Sequence, residues 1–355
     1  MIYLPLSKKN PVKIDAILCK QVSERLFKNV KRIVIIPHVN PDGDAVGSSL
    51  GLGRALQNAG FDTTVIFPNA FPETFRWLCK GIKSMVYEEN QSVAEQAISQ
   101  CDILFFLDFN DMKRLGKLHR YIDSIYKPLV LIDHHPDSTI KAEYQFSETH
   151  FSSTSELVTA FLLESGLDGH LDKMGANALL TGIIADTGSF NHNASRPELY
   201  ETVARLISKG ADKEKVNETI FNNFTEKRMR LLGYCLSEKM EVFPEMRSAV
   251  IWLSKDELER YNFQVGDTEG FVNYPLSIKG VVFTAFFIEK DDLVKASFRS
   301  KGNFPANEFS AVHFDGGGHR NAAGGESKLP LAEVVKKFKA LLPDYAELLK
   351  NEPLD

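Results

Sequence analysis

Cysteine is scarce in this chain of 355 residues, and its 4 cysteines form no C-x-x-C pair. That spacing argues against a disulfide framework and against a thiolate metal site, because both need paired thiols. The chain also lacks any apolar run of about 20 residues, which a membrane-spanning helix would need. Its first segment, MIYLPLSKKNPVK, lacks the continuous apolar stretch of a signal peptide. We therefore expect a cytoplasmic protein with no membrane partner.

An excess of basic charge is absent as well. The formal net charge is -5, so no overall positive field would hold a long nucleic acid by releasing counterions. Internal repeats and low-complexity segments are also lacking, and 43% hydrophobic with 25% charged residues is ordinary for a folded protein. These features exclude a disordered or fibrous protein and a binder of long duplexes. A nucleic-acid ligand should be short.

The length and the order of patterns predict two domains of an α/β protein. In the first half, β-rich apolar runs alternate with helical patterns, which indicates a parallel sheet wrapped by helices. Helices dominate from Ser153 to about Met240, and period-2 runs then return in SAVIWL, GVVFTAFFIE and LVKASFRS. The predicted boundaries are a first domain over 1–223, a connecting helix or linker over 224–243, and a smaller mixed α+β domain over 244–355, across a cleft.

Two helix starts are marked by local chemistry. Ser153 and Glu156 have the spacing of a capping box ahead of LVTAFLLESG. Pro330 stands at a plausible first helical position, and the apolar residues after it fall on one helical face.

Acidic and histidine residues cluster at the carboxyl ends of three predicted strands. They comprise His38, Asp42 and Asp44 after RIVIIP, Asp108 at the end of ILFFLD, and Asp133, His134 and His135 at the end of LVLID. Pro41 and Gly43 predict a turn within the first group. Asp186 ends the predicted helix ALLTGIIAD. Since ligands of open α/β sheets bind outside the carboxyl ends of the strands, these side chains are expected to converge.

Divalent metal ions would explain this ligand set. Four buried carboxylates would carry about four negative charges, which burial without partners does not tolerate. Carboxylate and imidazole ligands favour manganese, magnesium or iron(II) over structural zinc. Two ions about 3.5–4 Å apart can activate a water and stabilise a leaving oxygen in phosphate ester hydrolysis. Each residue alone has an ordinary alternative, as a helix cap, a turn residue or surface decoration.

Four segments in this order, HVNPDGDAVGS, LDFNDMKRLG, IDHHP and GIIADTGSF, resemble the motifs of the DHH phosphoesterase superfamily. The resemblance implies that His38, Asp42 and Asp108 bind one ion. It implies that the second ion is bound by Asp44, Asp108, His134 and Asp186, with Asp108 bridging. It places His135 towards the substrate, to hold a phosphoryl oxygen or donate a proton, and makes Asp133 a residue that orients a neighbouring imidazole.

The second signature is the glycine-rich segment FDGGGHRNAAGG. Backbone N–H groups of Gly316, Gly317 and Gly318 could converge on an anion, although a bare glycine run is more often a flexible loop. In LVKASFRS, period 2 places Lys295, Ser297 and Arg299 on one face. SFRS followed by GGGHRNAAG resembles the DHH-associated C-terminal domain, and the resemblance implies substrate binding by Ser297, Arg299, His319 and the three glycines.

The combined signatures predict a manganese-dependent phosphoesterase of the type that degrades short oligoribonucleotides and dephosphorylates 3'-phosphoadenosine 5'-phosphate (pAp). Magnesium and iron(II) are alternative ions. Alternative activities are hydrolysis of cyclic di-AMP or pApA, or of polyphosphate, and a non-catalytic nucleotide-binding regulator is the alternative outside enzymes. The predicted partners are short RNA or a small phosphorylated nucleotide, and a homodimer is left open.

Overall fold

The computed structural model of the chain describes residues 14–264 and 266–352. Residues 1–13, whose composition predicts no signal peptide, lie outside the described residues. The chain forms two compact units that meet in sequence between Asn223 and Phe224. None of the helices in the described ranges has the length and apolar character that a membrane crossing requires.

The first unit is an α/β layer structure. Its strands are β1 (Arg32–Pro37), β2 (Asp62–Phe67), β3 (Lys83–Val86), β4 (Ile103–Leu107), β5 (Leu129–Asp133) and β6 (Tyr144–Ser147). Its helices are α1 (Ala16–Asn29), α2 (Gly43–Asn58), α3 (Gln91–Gln100), α4 (His119–Asp123), α5 (Thr154–Glu164), α6 (Lys173–Asp186), α7 (Pro197–Ser208) and α8 (Lys213–Phe221), with short 3₁₀ helices at Glu73–Cys79, Met112–Leu118 and Asp168–His170.

All six strands of this sheet are parallel, in the order β3-β2-β1-β4-β5-β6. Every residue of β4 is buried, as is every residue of β1 after Arg32, as expected for strands covered on both faces. The predicted parallel sheet with helices is confirmed. The strand order reverses between β1 and β4, which is the point where doubly wound sheets bind ligands. His38 follows β1 and Asp108 follows β4, so both lie at this point.

Helices α2 and α6 pack at very close range along a seam of small residues. A Cβ added to Gly47 would lie 2.7 Å from the backbone N of Gly182 and even closer to the carbonyl O of Ala178. A Cβ on Gly43 would collide with Ala185. Gly43, which was expected to lie in a turn with Asp44, is instead the first residue of α2. Asp44 therefore belongs to helix α2. Glycine at position 43 allows the close approach of α6.

The second unit is a mixed α+β structure, which confirms the predicted class. Its elements are α9 (Glu226–Glu238), β7 (Met240–Phe243), β8 (Ser248–Leu253), α10 (Lys255–Arg260), β9 (Phe283–Glu289), β10 (Val294–Ser300), α11 (Ala306–His313), β11 (Gly317–His319), β12 (Ala322–Ser327), α12 (Leu331–Leu341) and α13 (Ala346–Lys350), with 3₁₀ helices at Pro244–Met246, Phe271–Ser277 and Leu342–Tyr345. The sheet order is β11-β12-β10-β9-β8-β7, with only β8 and β9 parallel among the described pairs.

The core of this unit is rich in phenylalanine. Phe283 packs against Phe298, Phe309 and Phe338 with ring centroids 4.9–6.0 Å apart. Helix α9, whose sequence suggested a connector, buries Leu231, Leu232 and Cys235 in a cluster with β8 and β9. It is therefore part of this unit. Pro330 precedes α12 as its N-cap and is not its first helical residue.

Candidate metal centre

The predicted ligand residues converge at the carboxyl edge of the parallel sheet. Ligand atoms of His38, Asp42 and Asp108 lie within 4.8 Å of one another, and so do those of Asp44, Asp108 and His134. Asp186 joins the second group, since its Oδ2 is 3.4 Å from Nε2 of His134. Asp108 thus belongs to both groups. These are the two sets that the motif resemblance implied.

The spacing of these atoms fits ligands that share an ion. Nε2 of His38 lies 3.5 Å from Oδ2 of Asp108 and 3.9 Å from Oδ2 of Asp42. Nε2 of His134 lies 3.7 Å from Oδ1 of Asp108 and 3.9 Å from Oδ2 of Asp44. These distances are long for hydrogen bonds. Two ligand atoms that are each about 2.1 Å from one ion lie roughly 3.0–3.6 Å apart at the usual angles. The His38–Asp108 distance falls within that range, and the other three exceed it by 0.1–0.3 Å.

His38 shows why a cation suits the first group. Its Nδ1 lies 2.8 Å from the carbonyl O of Val39, which can only accept, so Nδ1 carries the hydrogen. Burial lowers the pKa of His38 to about 4, and the positive charge of Arg114 adds to that effect. The ring is therefore neutral, with the Nε2 lone pair facing two carboxylates. Within the described residues this buried Nε2 makes no hydrogen bond, and a divalent cation would resolve the repulsion.

The two central carboxylates are buried, and within the described residues neither forms an ion pair with a lysine or an arginine. Asp44 and Asp108 are each 1% exposed. Burial raises the pKa of both well above the ordinary carboxyl value, and the repulsion between neighbouring carboxylates adds to it. Asp108 also has a left-handed backbone, with φ of 69°, a conformation that aspartate and asparagine tolerate better than most residues. The strained backbone directs its carboxylate into the site.

The amino terminus of α5 supports both carboxylates. The backbone N–H groups of Thr154 and Ser155 donate to the two oxygens of Asp44 at 2.6 and 2.9 Å. The Thr154 hydroxyl donates to Oδ1 of Asp108 at 2.8 Å. A helix amino terminus carries partial positive charge, so this contact stabilises and orients the acidic centre.

The predicted capping box at Ser153 forms only in half. The Ser153 hydroxyl accepts from the N–H of Glu156 at 3.0 Å. The Glu156 carboxylate does not return to Ser153; it accepts from the backbone and hydroxyl of Ser152 and pairs with Arg196 at 2.6 Å. Buried Glu156 is therefore used to tie α5 to the start of α7, because Arg196 offers a stronger charged partner than a backbone N–H.

A second polar chain borders the centre. His135 has its Nδ1 2.7 Å from Oδ1 of fully buried Asp133. Its Nε2 lies 3.3 Å from Nη1 of Arg114. Burial and the nearby His134 and Arg114 lower the pKa of His135 well below its ordinary value. Asp133 thus contacts His135, which is one of the neighbouring imidazoles that Asp133 was expected to orient.

In the second unit, strand β10 alternates as expected. Val294, Ala296 and Phe298 are buried, whereas Ser297 and Arg299 are half-buried on the other face. Gly317 and Gly318 of the glycine run belong to strand β11, which pairs with β12, so this part of the run is not an open loop. A Cβ on Gly316 would collide with Ser310 and Gly324, and one on Gly318 would lie 2.6 Å from the carbonyl O of Ala322. Close strand packing therefore accounts for these two glycines, whereas Gly317 has open space beside it.

Sequence reasoning missed three groups that build the centre. Thr154 and Ser155 belong to a run of small hydroxyl residues that was interpreted only as a helix cap. The glycine seam has a visible signal, since Gly43, Gly47 and Gly51 recur every four residues of α2. Arg114 lies within the second motif segment, where no role was assigned to it.

Both units of the chain are similar to known protein families. Residues 32–183 match the family described as "DHH family, N-terminal domain". Residues 250–348 match the DHHA1 domain. The two matches fall in the first and second units respectively.

Individual proteins are similar over nearly the whole chain. A protein of Streptococcus mutans named probable bifunctional oligoribonuclease and PAP phosphatase NrnA is 28% identical over 322 residues, 89% of this chain and 96% of that protein. The crystal structure of an exopolyphosphatase-related protein from Bacteroides fragilis is 38% identical, with a TM-score of 0.90, and covers 98% of this chain and 100% of that one. Cyclic-di-AMP phosphodiesterase GdpP of Bacillus subtilis is 27% identical over 97% of this chain but 52% of its own length.

Proposed function

Since this chain belongs to the DHH family and carries a DHHA1 domain, we propose that it is a metal-dependent phosphoesterase that hydrolyses short oligoribonucleotides and pAp. The observation that carries the proposal is the pair of ligand groups that share Asp108 at the strand-order reversal. Their donors are carboxylates and imidazoles, which suit a pair of hard or borderline divalent ions, and Mn²⁺ is the ion we propose.

The residues divide into two sets of ligands. His38, Asp42 and Asp108 would hold one ion; Asp44, Asp108, His134 and Asp186 would hold the other. When bound, two such ions supply an activated water and neutralise the negative charge that develops during phosphoryl transfer.

The chain's own groups keep the ligands in place. Asp42 is the N-cap of α2, and its Oδ1 accepts from the N–H groups of Asp44 and Ala45 at 3.0 and 3.1 Å. Its other oxygen therefore points towards His38. The α5 amino terminus fixes Asp44 and Asp108 in the same way. This preorganisation spares the site the cost of arranging four carboxylates at the moment of reaction.

For the second unit we propose that Ser297, Arg299, His319 and the segment Gly316–Gly318 bind a phosphate of the substrate. Support comes from the cationic, less buried face of β10 and from the ability of arginine to bind phosphate through two N–H groups. The open space at Gly317 would allow backbone approach by a ligand.

The named relatives support this substrate class over the others. The oligoribonuclease and PAP phosphatase relative is matched over 96% of its length, whereas the cyclic-di-AMP phosphodiesterase is matched over 52%. Hydrolysis of cyclic di-AMP or its linear product pApA is therefore the second candidate. The exopolyphosphatase-related structure keeps polyphosphate among the substrates to be tested.

One experiment separates these activities. The protein, stripped of metal and reloaded with MnCl₂, is given pAp, pApA, RNA of two to five nucleotides, cyclic di-AMP and polyphosphate at equal concentrations. We expect turnover of pAp and the short RNAs to exceed that of the others. Turnover of pApA or cyclic di-AMP without pAp would assign the chain to the second candidate. Nucleotide binding with no hydrolysis of any substrate would indicate a regulator.

A further inference from the structure

Arg114 is a cation at the border of the acidic centre. The motif resemblance assigns no role to it. It lies in the 3₁₀ helix Met112–Leu118, which follows Asp108 along the chain. The side chain is half-buried. Within the described residues it forms one side-chain hydrogen bond, to His135, and no ion pair. Its positive charge is close enough to help lower the pKa of Asp42, although the two side chains form no ion pair within the described residues, so its remaining N–H donors can serve another acceptor.

The hydrogen-bond chain behind Arg114 has a fixed direction. Oδ1 of Asp133 accepts from the backbone N–H of His135 at 3.2 Å and lies 2.7 Å from Nδ1 of the same residue. This oxygen is an acceptor, so Nδ1 carries the ring hydrogen and Nε2 presents its lone pair. Guanidinium groups can only donate. Nε2 of His135 therefore accepts from Nη1 of Arg114 at 3.3 Å.

The backbone around Arg114 is held as firmly as its side chain. Its carbonyl O accepts from the N–H of Val39 at 2.6 Å, which joins it to the loop that carries His38. Its own N–H donates to the carbonyl O of Asp111, whose side chain caps the 3₁₀ helix. Leu115 and Leu118 are fully buried beneath it. The backbone of Arg114 is thus hydrogen-bonded to both loops that supply the first ligand group.

We propose that Arg114 binds a non-bridging oxygen of the scissile phosphoryl group, and that His135 is the positioning residue that orients it. This inference rests on the proposed function, adds to it a residue that the motif resemblance left unassigned, and gives His135 a positioning role in place of the substrate contact that the resemblance implied. One donor of Arg114 is used on His135, which leaves four N–H groups of the fork for phosphate. A fixed positive charge at that oxygen stabilises the charge that grows in phosphoryl transfer, as arginines do in other phosphoryl-transfer enzymes.

The test compares Arg114→Ala, Arg114→Lys and the control Arg120→Gln, which changes an exposed arginine of α4. With Mn²⁺ and pAp we expect Arg114→Ala to lower kcat by about 10²–10³-fold, the range for removing one preorganised donor. Added methylguanidinium should restore part of that rate, and lysine should restore less than arginine because it lacks the fork. Arg120→Gln should behave as wild type.

Two further measurements isolate the role. Calorimetric titration should find the same number of Mn²⁺ ions in Arg114→Ala as in wild type, because Arg114 is not a ligand. Binding of inorganic phosphate to the Mn²⁺-loaded protein should weaken at least tenfold in Arg114→Ala alone. If wild type cleaves none of the substrates but its phosphate binding depends on Arg114, the proposed substrates are wrong and this inference stands. A kcat within threefold of wild type, or loss of Mn²⁺, would overturn it.

Discussion

The glycine seam between α2 and α6 makes a sharp prediction about Gly47→Ala. The added methyl would lie 2.7 Å from the backbone N and 3.1 Å from the Cα of Gly182, where unstrained contacts are about 3.5 Å or longer. Because the obstructing atoms belong to a helix backbone, no side-chain rotation can relieve the overlap. The two helices must separate by several tenths of an ångström.

The energetic consequences follow from two opposing effects. Overpacking costs about 1–3 kcal/mol, and alanine recovers about 1 kcal/mol of helix propensity, so the free energy of unfolding should fall by about 0–2 kcal/mol. The affinity of the metal centre for Mn²⁺ should fall by more than the free energy of unfolding does. Asp44 lies on α2 and Asp186 on α6, and metal–ligand distances tolerate only about 0.2 Å. We expect the affinity for Mn²⁺ to fall on the order of 10–100-fold, about 1.4–2.7 kcal/mol.

Gly233→Ala is the matched control. This glycine lies inside helix α9, and an added Cβ there meets nothing within 4 Å. We expect that variant to gain about 0.5–1 kcal/mol of stability with unchanged affinity for Mn²⁺. Urea unfolding in EDTA and calorimetric Mn²⁺ titration give both quantities. If Gly47→Ala binds Mn²⁺ as tightly as Gly233→Ala and unfolds at the same urea concentration, the seam does not position the ligands.

Four other outcomes test the remaining parts of the centre. Asp108→Asn, which keeps a residue that tolerates the left-handed backbone, should abolish Mn²⁺-dependent turnover in a folded protein; retained activity would remove Asp108 from both ligand groups. In EDTA the free energy of unfolding of wild type, relative to that of Asp108→Asn, should fall as the pH rises above the ordinary carboxyl pKa of 3.8. The fall should be at most about 1.4 kcal/mol per pH unit, because a raised folded-state pKa means that folding favours the protonated acid. A rise with pH would contradict the burial of this carboxyl. Thr154→Val should weaken Mn²⁺ binding about 3–10-fold by removing one hydrogen bond worth about 1 kcal/mol, whereas Thr159→Val, whose hydroxyl donates to the carbonyl O of Ser155 within α5, should leave the affinity unchanged. Equal effects of the two would contradict the role of the helix terminus. Arg299→Ala should raise KM for pAp without loss of bound Mn²⁺, as measured by metal analysis of the purified variant, and loss of ions would contradict the assignment of Arg299 to substrate.

The identity of the candidate ligands could be predicted from the sequence because their positions follow from local chemistry. Apolar β-rich runs that end in Asp108 or Asp133 predict strands whose carboxyl ends carry acidic groups, and parallel strands bring those ends to one edge. Helix α6 could be predicted to end at Asp186 for the same local reason. The alternation on β10 also follows from spacing alone.

Contacts between distant segments could not be predicted in this way. The α5 amino terminus meets Asp44 across 110 residues of chain. Glu156, whose spacing predicts a local capping box with Ser153, pairs instead with Arg196. No local signal in the sequence reveals that Gly324 packs against Gly316 and Ala322 against Gly318, so this packing could not be predicted. Arg114 lacked any signal, since its partner His135 lies on another strand end.

The sequence by itself therefore determined which side chains are candidate metal ligands and that most of them follow a strand or end a helix. Tertiary structure alone decided that β1 lies beside β4, that α2 approaches α6 closely enough to bring Asp44 to Asp186, and that Arg114 meets His135. The physical reason is that propensity and periodicity act over a few residues. Strand order and helix approach depend on packing between segments about 100 residues apart, which no local pattern encodes.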